Sequence, residues 1–132
     1  MRQTATPFES IAACHAKLRD AAAAEIEDWL PDAVPPTVGL GALGASLVTA
    51  ERDIDDESLD RIASCVEEFL SVNGADADAV ATGFLEAICN RSEESTASVE
   101  RIVRRLGDRA VAYIRAWDTF TGVDTPGTAR AG

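Results

Sequence analysis

His15 is the only histidine in the chain, so any imidazole chemistry, as base or as metal ligand, has to run through it. It falls on the apolar stripe expected of the first helix. Neighbouring Cys14 is turned about 100° away around that helix, which separates the groups a Cys–His dyad would join. A packed or edge histidine is therefore expected. Gly39-Leu40-Gly41-Ala42-Leu43-Gly44 matches G-x-G-x-x-G, with Asp60 at roughly the spacing of a ribose-binding acid. Dinucleotide binding by that motif needs a preceding strand and a βαβ unit. Pro35-Pro36 stands there instead and helical patterns follow, so these glycines are expected to serve helix packing. Asp53, Asp55 and Glu57 begin like a calcium loop, but Ser58 occupies the glycine position and Ser64 that of the bidentate acid. Asp76-Ala77-Asp78 fails the same test, and acids placed this way complement helix N-termini. With no nucleophile elbow, zinc-binding helix or P-loop in the sequence, the expectation is a protein that is not an enzyme and takes no metal or cofactor.

The elements that would carry such residues are all helical. The 132 residues are 46% hydrophobic but only 5% aromatic, and alanine is abundant, which suits closely packed helices in one domain. Thr6, Pro7 and Glu9 form a T-x-x-E start signal. Phe8, Ile11, His15, Leu18, Ala22, Ile26 and Trp29 then recur at helical steps until Pro31, predicting one long first helix. A second helix opens at Thr37 or Val38 and carries Leu40, Leu43, Leu47 and Val48. Gly41, Gly44 and Ala45 leave one side of it bare for close approach of another backbone.

The strongest periodicity lies in 57–89, read as a central antiparallel hairpin. Its first helix has the inner stripe Leu59, Ile62, Ala63, Val66, Phe69 and Leu70, stopped by Gly74 as a left-handed cap. Asp76 or Asp78 caps the second, with Val80, Ala81, Phe84, Leu85 and Ile88 inside. A short helix ending at Gly107 and a last helix from Asp108, with Tyr113, Trp117 and Phe120, complete a single-domain all-α bundle of five to six helices over 1–120. Residues 121–132 read as a poorly ordered tail.

Charge is uneven. Residues 51–94 hold thirteen acids against three bases, −10, whereas 95–132 hold four against six, +2, within an overall −11. A negative middle excludes nucleic acid and anionic membrane as partners and suits a basic protein. Three scattered cysteines without a C-x-x-C pair read as buried, reduced thiols of a cytoplasmic protein. MRQTATPFES lacks the apolar run of a signal peptide, and the uncharged stretch 33–50 is broken by Pro35, Pro36 and three glycines, so no membrane span is expected.

On the second hairpin helix Ala79, Thr82, Gly83, Glu86 and Asn90 share one side. Either another helix of the same domain packs at Gly83, or that side faces a partner, with Glu67, Glu68 and Glu86 supplying acid.

Val66-Glu67-Glu68-Phe69-Leu70, Val80-Ala81-Thr82-Gly83-Phe84-Leu85-Glu86 and Leu106-Gly107-Asp108, with Trp117 beyond, resemble a family of small acidic helical bacterial proteins encoded near polymorphic toxins and regarded as immunity proteins. The resemblance covers about residues 40–120, and Glu67, Gly83, Phe84, Leu85 and Glu86 are its matching positions. Phe84 and Leu85 fall on the inner stripe and are expected to be structural. The resemblance implies neutralisation of a cognate protein toxin, one with a basic active-site cleft, by tight binding through an acidic surface. The residues expected to make that surface are Asp60, Glu67, Glu68, Asp76, Asp78, Gly83 and Glu86. The alternative is a helical adaptor or assembly subunit of the cytoplasm, without a toxin.

Overall fold

Thr6 starts the first helix as expected. In the computed structural model, which describes residues 5–130, Thr6 Oγ1 accepts from the Glu9 amide at 3.1 Å and Glu9 Oε1 accepts from the Thr6 amide at 3.0 Å. The helix does not run on to Pro31. Helix α1 (Pro7–Ala12) stops, and α2 (Ala16–Trp29) begins after a break. His15 lies in that break with extended backbone, and its Nδ1 accepts from the Lys17 amide at 3.0 Å. It caps α2 instead of sitting on an inner stripe. Arg19 closes the other side of the break by donating to the Ala13 carbonyl at 2.8 Å. The break also redirects the stripe. Ile11, Leu18 and Ala22 are buried, whereas Ile26, Trp29 and Leu30 are 45%, 36% and 64% exposed.

Helix α3 (Pro36–Thr49) opens one residue earlier than expected, with Pro36 in the first turn, where a missing amide proton costs nothing. A 3-10 turn (Glu51–Asp53) leads to α4 (Asp56–Leu70). Asp55 caps α4, accepting from the Ser58 amide at 3.1 Å and hydroxyl at 2.7 Å, and these bonds hold its carboxyl below the usual range.

Helix α5 (Ala75–Ala79), a π-helical segment (Val80–Leu85) and α6 (Glu86–Cys89) follow one another without a break and make one rod, 75–89. Helices α7 (Thr96–Arg105) and α8 (Asp108–Thr121) complete the bundle. Counting that rod once, the described residues form seven helices and no strand, one helix more than expected because the first is split.

The rod 75–89 runs through the centre. Val80, Phe84, Leu85 and Ile88 are fully buried, and so is the small side opposite them. That side packs on α3 in the most extensive contact of the fold. A Cβ at Gly83 would lie 2.7 Å from the Thr37 carbonyl oxygen, and one at Gly44 would lie 2.6 Å from that of Phe84. The bare side of α3 therefore does meet another backbone, as its glycines suggested. The wider π turn falls within this crossing.

Gly74 does not cap α4 in the left-handed region. Ser71 is the C-cap, and Gly74 has φ 150° and ψ −168°, a conformation open essentially to glycine alone, as the residue before α5. Asp76 and Asp78 lie inside the first turns of α5 and do not cap it.

The expected poorly ordered tail has a defined path as far as it is described. Thr125 is 1% exposed, its hydroxyl donates to Asp118 Oδ1 at 2.7 Å, and Arg130 donates to the Val103 and Leu106 carbonyls at 3.1 Å each. Its last two residues, 131–132, and the first four of the expected domain lie outside the described residues.

Candidate functional site

Much of the acid in the −10 segment is used inside the molecule. Arg101 of α7 donates from Nη1 to the Glu51 carbonyl (2.8 Å) and Oε2 (2.7 Å), and from Nη2 to the Ile54 carbonyl (2.8 Å) and Asp56 Oδ1 (2.7 Å). These bonds hold the Asp56 carboxyl below the usual range, with Arg105 adding to the effect. Arg105 also pairs with Asp60 at 2.8 Å. The bases of α7 thus meet the acids at the start of α4, which the sequence could not place beside them.

Glu67 is a structural cap. Its Oε1 accepts from the Arg109 amide at 3.1 Å and its Oε2 from the Ala110 amide at 2.8 Å, which satisfies two free amides at the start of α8. Gly107 leaves room for it, since a Cβ there would run into Glu67 Cγ and Cδ. Glu67→Ala is expected to lower unfolding free energy by about 1–2 kcal/mol, measured by urea denaturation, because Ala110 keeps a buried amide without a partner. A glutamine side chain has one acceptor oxygen for the two amides, so Glu67→Gln is expected to recover only part of this.

Glu86 accepts a hydrogen bond from the Tyr113 hydroxyl, and burial followed by this contact raises the Tyr113 pKa. Gly83 is buried against α3, as described above. The shared side expected to face a partner is therefore taken apart: Ala79 and Gly83 are buried, Glu86 is half-buried, and only Thr82 and Asn90 are exposed. Of the seven residues expected at an interface, Glu67, Gly83 and Glu86 serve the fold and Asp60 is held by Arg105.

Glu68, Asp76 and Asp78 remain. Glu68 and Asp76 are exposed and Asp78 lies one turn on in the same rod; among the described residues none of the three has an ion-pair or hydrogen-bond partner for its carboxylate. They gather where α4 turns into α5. Glu68 and Asp76 line a groove of about 410 Å³ floored by Phe69, Val72 and Gly74, and Asp78 follows two residues on. Val72 is 71% exposed and Phe69 is half-buried. The result is an apolar strip edged by free carboxylates. Sequence reasoning placed Phe69 in the core and gave Val72 no role; the signal available was Val72 lying beyond the last inner-stripe position.

The groove can hold an apolar side chain flanked by cations. Among the described residues no three His, Cys, Asp or Glu side chains converge as a metal ion would require, and no helix is long and apolar enough to cross a membrane. No protein-family model, curated protein or solved structure matches this chain.

Proposed function

We propose that the chain is a binding protein that neutralises a basic protein toxin by capturing it on the α4–α5 corner. The observation that carries this reading is the set of unpaired carboxylates Glu68, Asp76 and Asp78 around the exposed Phe69–Val72 strip. Free acids accelerate encounter with a positive cleft, and the apolar strip supplies the area that holds the complex once formed. The likeness of 66–70 and 80–86 to toxin-associated immunity proteins favours a toxin over other basic partners. A binding role is preferred to catalysis because the grooves are open and the one histidine is engaged as a helix cap. The cytoplasm, where the toxin would be made, is the compartment that goes with this reading.

The test is co-expression with the product of the neighbouring open reading frame. Copurification and loss of toxicity are expected, with an association rate that falls as salt rises. The triple variant Glu68→Lys, Asp76→Lys, Asp78→Lys is expected to bind at least about tenfold more weakly, since none of the three carboxylates holds another part of the fold. Unchanged binding by that variant would move the interface elsewhere.

A second reading, a helical adaptor, is favoured by one observation. Ile26, Trp29 and Leu30 at the end of α2 and Val38 at the start of α3 are exposed apolar side chains. Binding through them would depend little on salt and would survive the triple reversal.

A further inference from the structure

The break between α1 and α2 brings together two thiols that lie far apart in the chain. Cys14 sits in the break and Cys65 on α4, and the Cys65 thiol hydrogen-bonds to the Cys14 sulfur. Independent geometry fixes the same neighbourhood. Arg61, one turn before Cys65 on α4, donates from Nη2 to the Cys14 carbonyl at 3.3 Å and to Ser58 Oγ at 2.9 Å. Cys14 Sγ also contacts the Ser10 carbonyl at 3.5 Å. Both cysteines are half-buried, which leaves them open to a small reagent, whereas Cys89 is only 2% exposed.

The two thiols have different characters. The hydrogen bond from Cys65, opposed by burial and helped by the Arg61 guanidinium, lowers the Cys14 pKa to about 7. Cys65 is pushed up, first by that same hydrogen bond and then by burial. Burial also pushes Cys89 up, to about 11. A thiolate-forming sulfur beside a protonated one is the arrangement of an attacking and a resolving cysteine.

We propose that Cys14 and Cys65 form a peroxide-responsive dithiol whose disulfide staples the α1–α2 break to α4. The Cys14 thiolate attacks one oxygen of hydrogen peroxide. An S–O bond forms, the O–O bond breaks, and hydroxide leaves and is protonated to water. Cys14 is now a sulfenic acid, oxidised by two electrons. The Cys65 sulfur attacks the Cys14 sulfur, the S–S bond forms, the S–O bond breaks, and the hydroxyl leaves with the Cys65 proton as water. One peroxide and two thiols give one disulfide and two waters.

The experiment treats the folded full chain with stoichiometric hydrogen peroxide, then counts thiols after denaturation and maps peptides by mass. Expected are a fall from three free thiols to one, loss of the mass of two hydrogens, and a Cys14–Cys65 linked peptide. The bridge is expected to raise the urea midpoint and to be reversed by dithiothreitol. Cys65→Ser is expected to leave a sulfenic acid on Cys14, trapped by dimedone. In Cys14→Ser, Cys65 is expected to stay reduced. The wild-type map decides the matter even if a variant folds poorly. Three thiols surviving in the oxidised native chain, or Cys89 reacting first, would overturn the proposal.

Discussion

Arg101→Ala is expected to lower the unfolding free energy by about 3 kcal/mol, the size of effect seen when one partner of a buried ion pair is removed. The reason lies in what the guanidinium holds. Its four hydrogen bonds tie α7 to the Glu51 turn, to the Ile54 carbonyl and to Asp56 at the start of α4. Glu51 is 8% exposed, and its other oxygen is engaged by Ser98 Oγ at 2.9 Å. Without Arg101 a buried carboxylate keeps only one neutral donor, and two carbonyls lose theirs. Lysine supplies charge but not the planar fork, so Arg101→Lys is expected to recover less than half of the loss. Removing both partners together is expected to cost less than removing Arg101 alone, because no charge is then stranded; Glu51→Leu with Arg101→Met tests this. Urea denaturation of these variants measures the series. A loss below about 1 kcal/mol for Arg101→Ala would mean that water replaces the guanidinium, and that Glu51 is solvated.

Gly44→Ala and Gly83→Ala are each expected to destabilise by about 2 kcal/mol, although alanine is the better helix former by about 1 kcal/mol. The added Cβ atoms would meet backbone, the Phe84 and Thr37 carbonyl oxygens at 2.6 and 2.7 Å, and backbone in a helix crossing cannot turn aside as a side chain can. Relief requires α3 and the rod 75–89 to separate, which loosens contacts around the fully buried Leu40, Leu43 and Phe84. Both substitutions force the same separation, so the double variant is expected to lose less than the two singles added. Gly41 provides the control. A Cβ there would have only the Gly83 carbonyl oxygen within reach, at 3.8 Å, an ordinary contact. Gly41→Ala is therefore expected to be neutral or to stabilise by up to about 1 kcal/mol. Equal effects at all three glycines would show that close approach is not what selects glycine at 44 and 83.

Those glycines mark how far the sequence could be read. Glycines on one side of the second helix, in a chain short of aromatics, announced a close backbone crossing, and the crossing is there. The same argument at Gly83 left two occupants open, a helix of the domain or a partner. The deciding contact, Thr37, lies far from Gly83 along the chain, where no periodicity reaches. The first helix failed for a related reason. Ala13, Cys14 and His15 are all tolerated in a helix and the stripe continues through them, so nothing local marked a break. It is held by His15 capping α2 and by Arg61 reaching Cys14 from α4.

Helix identity, the inner stripes of α4 and the rod 75–89, and the Thr6 cap were determined by the sequence alone, because they depend on residues within a turn or two. The charge excess was determined there as well. Which acids stay free was not. Asp56 and Asp60 are matched by arginines 45 residues away and Glu67 by amides 42 and 43 away. Hydrogen bonds and ion pairs of that separation exist only once α7 and α8 have docked on α4. Tertiary structure therefore reduced an acidic segment to Glu68, Asp76 and Asp78, and set Cys14 beside Cys65.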